Sequence, residues 1–231
     1  MGAMTYSYRM TMPDKIKSSY KQSRNIYDDI ITHKTWWSKL YNRLFWNGVD
    51  DNDIAADLLA NIPNDFSGKL LDVPTGTAVF TWKKYRKLKD ADITCLDYSE
   101  DMLAQAKSRF EANQIAHVKT IQGDVGHLPF ENNTFDIVLS MNGFHAFPDK
   151  EKAFDEILRV LKPGGKFLSC FYIQGQAKIS DMLVKYILSQ KGWFTPPFES
   201  MNTLKYRLEK DYTIELYELR GAIVFFVAVK R

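Results

Sequence analysis

Between Gly68 and Ile173 short apolar runs alternate with helix-like stretches, and this alternation constrains the fold more than any other feature of the sequence. The runs are Lys69–Val73, Asp92–Leu96, Val118–Gln122, Phe135–Ser140 and Lys166–Ile173. Between them lie Val79–Leu88, Ser99–Asn113 and Lys150–Leu161, the last with Ala153, Phe154, Ile157, Leu158 and Leu161 at helical spacing. Lys162-Pro163-Gly164-Gly165 ends that helix, because proline cannot continue it and the glycines permit the turn. Short apolar strands separated by helices predict a parallel sheet covered on both faces. The rhythm breaks at the end of the chain, where Tyr212–Leu219 and Ala222–Val229 are joined only by Arg220-Gly221. Two residues cannot make a parallel crossover, so these two strands are expected to pair as an antiparallel hairpin. The predicted fold class is α/β: a Rossmann-like, doubly wound, mostly parallel seven-stranded sheet with that hairpin at its end.

The 231 residues fit one domain with an elaboration. Residues 66–231 are expected to form the main domain, with an insert near 175–205, and residues 1–65 a helical, aromatic-rich lid. Trp37, Tyr41, Leu44 and Phe45 fall on one helical face, which fits either a core-packing helix or a lid over a ligand. The longest apolar run, Ala222–Val229, is far short of the roughly 20 residues of a membrane span. A net charge of +3 gives no reason to invoke nucleic acid. Met1–Tyr20 has no apolar core of the secretory kind, so a cytoplasmic location is expected. Cys95 and Cys170 sit inside apolar runs and read as buried small hydrophobes. No histidine, cysteine or acid cluster has metal-ligand spacing, so no metal is expected.

Three carboxylates stand at successive strand ends. Asp72 closes the first strand before Val73-Pro74-Thr75-Gly76-Thr77-Ala78, Asp97 closes the second, and Asp124 follows the third. In a doubly wound sheet these ends face the ligand crevice. The first loop has one glycine and an acid where a dinucleotide site needs several glycines and a favourable field for pyrophosphate. A cationic ligand without phosphate suits it better, and this disfavours an NAD-dependent oxidoreductase. Asp97 is placed to accept ribose hydroxyls, and Asp124 to accept an exocyclic adenine amine. Each alone also reads as a capping or turn residue; three spaced by full strand–helix units carry more weight.

The segments LLDVPTGTAVF, CLDYSEDMLAQAK, GDVGHLPFENNTFDIVLSMNGFHAFPD and ILRVLKPGGKF resemble the class I S-adenosylmethionine-dependent methyltransferases, in particular the ubiquinone/menaquinone-biosynthesis and related small-molecule branch. The resemblance covers about Gly68–Tyr172. It implies S-adenosylmethionine as cofactor, with Asp72, Pro74, Thr75 and Gly76 around its methionine half. It further implies Asp97 on the ribose, Tyr98 and Met102 against the adenine region, and Asp124 with Val125 at the adenine edge. Met141 and Asn142 would flank the transferred methyl, and Tyr27, in a Tyr27-Asp28 pair, would reach the carboxylate end. Pro74 and Ala78 depart from the family's glycines.

The implied activity is methyl transfer to a small-molecule acceptor by in-line displacement. The alternative is a non-catalytic protein that binds S-adenosylmethionine or S-adenosylhomocysteine. A protonated acceptor would need a general base, for which His145 is the candidate; the other reading of His145 is a packed or capping loop histidine. The insert Ile179–Phe198 fits either substrate recognition or core cover, and Lys83–Lys89 reads as a solvated helix face or a weak membrane contact. The acceptor and the oligomeric state stay open at this stage.

Overall fold

The computed structural model describes residues 51–231, so Tyr27, Trp36, Trp37 and most of the expected lid lie outside the described residues. The elements run α1 (Asp51–Ala60), β1 (Lys69–Asp72), α2 (Trp82–Tyr85), β2 (Asp92–Asp97), α3 (Glu100–Ala112), β3 (Val118–Gln122), β4 (Phe135–Met141) and α4 (Lys150–Val160). They continue with β5 (Leu161–Tyr172), α5 (Lys178–Leu183), a π-helical turn (Val184–Leu188), α6 (Met201–Asp211), β6 (Tyr212–Arg220) and β7 (Ile223–Lys230). The seven strands form one sheet in the order β3-β2-β1-β4-β5-β7-β6. β1 to β5 pair in parallel; β7 pairs antiparallel with both β5 and β6, as a two-residue link demands.

Alternate residues of each strand point to opposite faces, and both faces are buried. On one, Leu70, Ile93, Cys95, Leu139, Leu168, Tyr172 and Phe225 pack with Ile54 and Leu58 of α1 and Ala106 and Phe110 of α3. On the other, Leu71, Val138, Phe167, Phe171 and Phe226 pack with Phe154 and Ile157 of α4 and Leu204 and Leu208 of α6. Of the stripe foreseen on α4, Ala153, Phe154 and Ile157 are buried and Leu158 is half-buried; Val160 completes the buried face, and Leu161 already belongs to β5. Both cysteines are free and buried.

Local differences from the sequence expectation have local causes. The stretch Val79–Leu88 yields only one helical turn, α2, because Ala78 takes a left-handed φ of 56° and the chain ahead of α2 is spent on a loop. Of the basic run behind it, Lys83, Arg86, Lys87 and Lys89 are exposed, while Lys84 donates to the Ile62 carbonyl and to Asn64. α3 starts one residue later than its first polar residue because Ser99 is the cap, its Oγ accepting from the Met102 N–H at 3.3 Å. Strand β5 begins at Leu161, directly after α4, and Gly164 absorbs the turn at φ 76° within it. Among the described residues no helix is long and apolar enough to cross a membrane.

Candidate functional site

The sheet reverses its winding between β1 and β4, and the crevice beyond the carboxyl ends of those strands is where doubly wound folds bind ligands. The loop after β1 is pinned there by its own polar groups. Val73 N–H donates to the Leu139 carbonyl at 2.9 Å and Thr75 N–H to the Leu96 carbonyl at 3.0 Å, tying it to β4 and β2. Thr75 Oγ1 donates to the Asp72 carbonyl at 2.9 Å. Gly76, at φ 58°, turns its N–H onto Asp97 Oδ2 at 2.8 Å, and a Cβ there would meet no atom within 4 Å. The loop therefore wraps open space instead of filling it.

Two adjoining compartments result. The first, about 570 Å³ and open to solvent, is lined by Asp72, Pro74, Thr75, Gly76, Thr81, Asp97, Met102, Met141 and Asn142, together with Thr77–Phe80. The second, about 670 Å³, is lined by Val73, Pro74, Leu96, Asp97, Tyr98, Gly123, Asp124, Val125, Gly143, Ala146, Phe147 and Pro148. Pro74 and Asp97 belong to both. Gly143 seals the seam: a Cβ there would lie well inside van der Waals contact of Pro74 Cδ and Phe147 Cζ.

The electrostatics of the first compartment are set by two buried acids. Burial pushes the Asp72 carboxyl up to about 7; the neighbouring Tyr85 hydroxyl opposes that rise and the Asp97 charge adds to it. Burial likewise lifts Asp97 to about 6, against the N–H groups of Ser99 and Gly76 that bond its carboxylate. Asn142, which lines the first compartment, sits at φ 53°, and its buried Oδ1 has no hydrogen-bond partner among the described residues. An unmet acceptor beside a cleft is the kind of feature that ligands satisfy. In the second compartment Asp124 is half-exposed, and its Oδ1 accepts from the Gly126 N–H at 2.8 Å.

The structure thus gathers eleven of the thirteen residues proposed from sequence around one crevice. The thirteen include Tyr27, which is outside the described residues, and His145, which lines neither compartment. His145 is buried, its ring stacked on Phe194 at 4.1 Å and 15°. Burial, with the Lys150 charge adding to it, pushes its pKa down to about 3. Sequence reasoning missed the wall formed by Gly143, Ala146, Phe147 and Pro148. Its signal was the position of these residues after the fourth strand, where the chain must turn back across the crevice.

The donor set tests what the crevice can hold. Among the described residues no lysine, arginine or histidine lines either compartment, whereas three carboxylates and an unmet amide oxygen do. That set fits S-adenosylmethionine, which brings a sulfonium, an ammonium, two ribose hydroxyls and an adenine amine. It does not fit a pyrophosphate. Among the described residues no cluster could hold a metal ion.

Comparison with known proteins agrees with the chemistry. Residues 70–165 match a family described as "Methyltransferase domain". The chain is 41% identical over 101 residues to a demethylmenaquinone methyltransferase of Bacillus mycoides, covering 43% of each chain. It is 32% identical over 172 residues to a ubiquinone/menaquinone biosynthesis C-methyltransferase of Rickettsia bellii, covering 67% of this chain and 62% of that one. The chain thus spans about half the length of these curated relatives. Among solved structures, a methyltransferase of Thermotoga maritima superimposes with a TM-score of 0.65 at 19% identity, covering 94% and 100% of the two chains. One from Aquifex aeolicus gives 0.61 at 15%, covering 87% and 97%. At such identities the structures speak for the fold, and the sequence relatives for the lineage. Residues 70–165 thus carry a methyltransferase domain, and the chain is similar to the ubiquinone/menaquinone-biosynthesis branch of the class I S-adenosylmethionine-dependent methyltransferases.

Proposed function

We propose that the protein is an enzyme that methylates a small-molecule acceptor. The observation that carries this is the first compartment: two buried carboxylates and the Asn142 amide oxygen, with no basic side chain among the described residues to neutralise them. When bound, S-adenosylmethionine supplies an activated methyl group, which passes to a nucleophilic atom of the acceptor as the carbon–sulfur bond breaks. Asp97 holds the ribose. Asp72 and the backbone of Pro74, Thr75 and Gly76 enclose the methionine half, with Met141 beside the reacting carbon. Tyr98, Met102, Asp124 and Val125 take the adenine. Tyr27 is assigned to the carboxylate end. With the donor already activated, the protein's part is to position two reactants and exclude water.

His145 serves this scheme as packing, since a ring stacked on Phe194 with a pKa near 3 is too weak a base for a protonated acceptor near neutrality. The acceptor is taken to be a quinone-like or other small apolar molecule, by analogy with the names of the sequence relatives. The lid is assigned to the residues ahead of α1, since α1 itself packs on the sheet, and the insert near 175–205 to the acceptor side. Ile179, Met182, Tyr186 and Ile187 of that insert are 45–57% exposed, an apolar face suited to being covered by the lid. A cytoplasmic location is part of the same reading.

Calorimetric titration with S-adenosylhomocysteine, followed by transfer of labelled methyl from S-adenosylmethionine to quinol acceptors, tests it. Binding with transfer is expected. Binding without transfer to any acceptor would leave a cofactor-binding protein, and absence of binding would sink the assignment.

A further inference from the structure

Lys150 opens α4, yet only 8% of it is exposed. An ammonium is costly to bury unless its protons find acceptors. Its Nζ donates to the Phe147 carbonyl at 3.2 Å and to the Thr195 carbonyl at 2.5 Å, and it stands 5.7 Å from the centre of the Phe198 ring. Burial pushes its pKa down to about 8, while the Glu199 carboxylate opposes that fall.

The two carbonyls belong to different parts of the molecule. Phe147 is in the wall of the second compartment; Thr195 is at the far end of the insert that leaves β5. Other contacts run between the same two segments. The Thr195 N–H donates to the His145 carbonyl at 2.8 Å, Thr195 Oγ1 to the Ala146 carbonyl at 3.2 Å, and the His145 ring lies on Phe194. The Thr195 bonds reach only His145 and Ala146, and Lys150 extends the tie to Phe147. A buried donor between two fixed carbonyls admits one seating.

We propose that Lys150 is a positioning residue that latches the insert to the wall of the cofactor crevice through the carbonyls of Phe147 and Thr195. This rests on the methyltransferase assignment and deepens it. The seating of the insert and the affinity for cofactor are then linked, and whatever orders one favours the other by the same factor. An acceptor held by the insert strengthens cofactor binding without touching the cofactor.

Lys230 supplies the control. Its Nζ donates to the carbonyls of Leu158 and Leu161, both at 2.7 Å, at the opposite end of the sheet. Lys150→Met and Lys230→Met, made in the full chain, are compared with the wild type. The readouts are S-adenosylhomocysteine titration and amide exchange over residues 143–148 and 194–199. Lys150→Met removes both hydrogen bonds and is expected, through that linkage, to weaken binding about ten-fold and to speed exchange in both segments. Lys230→Met should lower Tm yet leave binding and exchange there unchanged. Equal affinity and exchange in Lys150→Met and wild type overturn the latch and leave the methyltransferase assignment standing. If the wild type itself fails to bind, that assignment falls, and exchange alone decides whether the latch exists. Should Lys150→Met not fold, Lys150→Gln retains a shorter, uncharged donor and must show an intermediate loss; wild-type behaviour there overturns the latch as well.

Discussion

The two compartments of the crevice share Pro74 and Asp97 yet are built on opposite plans. The first is acidic and conformationally tight: Asp72 and Asp97 are buried, and Gly76, Ala78 and Asn142 all take left-handed φ values between 53° and 58°. The second is broad and mostly apolar, walled by Val73, Leu96, Val125, Phe147 and Pro148, with Asp124 half-exposed at its rim. A buried acid stripped of water is unstable unless a cation or donors arrive, whereas apolar walls gain most from a flat ring. One half is therefore unfavourable until filled and the other is preformed. The asymmetry matches a ligand with a charged end and an aromatic end.

Asp97 is where the halves meet, and its removal should break the comparison most severely. Its two oxygens hold the N–H groups of Gly76 and Ser99, so Asp97→Ala frees the loop of the first compartment and also removes the proposed ribose acceptor. S-adenosylhomocysteine affinity should fall about 100-fold or more by calorimetry, the sum of at least two lost charge-assisted hydrogen bonds. Retained affinity would show that the two halves do not share an anchor. Gly143→Ala attacks the seam instead. The new methyl must push Pro74 from Phe147, and overpacking of this kind costs about 1–3 kcal/mol of stability, measurable by denaturant unfolding. An unchanged midpoint would mean that the seam is soft.

The acids also give the crevice a pH signature, centred on Asp72, which lines the first compartment alone. Asp72 titrates near 3.8 when unperturbed and near 7 in the fold. Its contribution to the stability of the free protein is full below 3.8 and is lost as the pH rises through 7, because the unfolded chain gives up the proton first. Asp97, lifted to about 6, works in the same direction. A cationic ligand reverses the preference, since it needs the ionised carboxylates. Affinity for S-adenosylmethionine should therefore rise about ten-fold between about pH 6 and pH 8, with proton release on binding. Asp72→Asn should flatten that rise; an unaltered slope in the variant would assign the protons elsewhere.

The sheet and the acids were legible because each depends on short-range pattern. Strand and helix periodicity fixed the parallel half, the Arg220-Gly221 link required the hairpin, and Asp72, Asp97 and Asp124 mark successive strand ends. Features set by distant partners were not legible. Lys150 opens a helix-like stretch with nothing near it in sequence to mark it as buried, and its burial depends on Thr195, 45 residues away. His145 reads as either a loop base or a packed histidine, and only Phe194 lying across it decides for packing. The wall at Gly143–Pro148 exists only because the chain after β4 folds back towards Pro74. Helix α2 shrank to one turn because the loop before it bends around the first compartment, a constraint of shape that helical spacing does not encode.

The smallest expected effect sharpens the comparison from the other side. Tyr98 follows Asp97 and lines the second compartment, but 40% of it stays exposed. Its ring can stack on a base while part of it stays exposed, so its removal costs mainly contact area. Tyr98→Ala should weaken S-adenosylhomocysteine binding by about five-fold, in line with about 1 kcal/mol for one aromatic contact. The loss should not vary with pH, because no titrating group of the second compartment needs the ligand's charge. A loss as large as that of Asp97→Ala, or one that grows as the pH rises, would mean that the apolar half is not preformed and that both halves assemble around the ligand together.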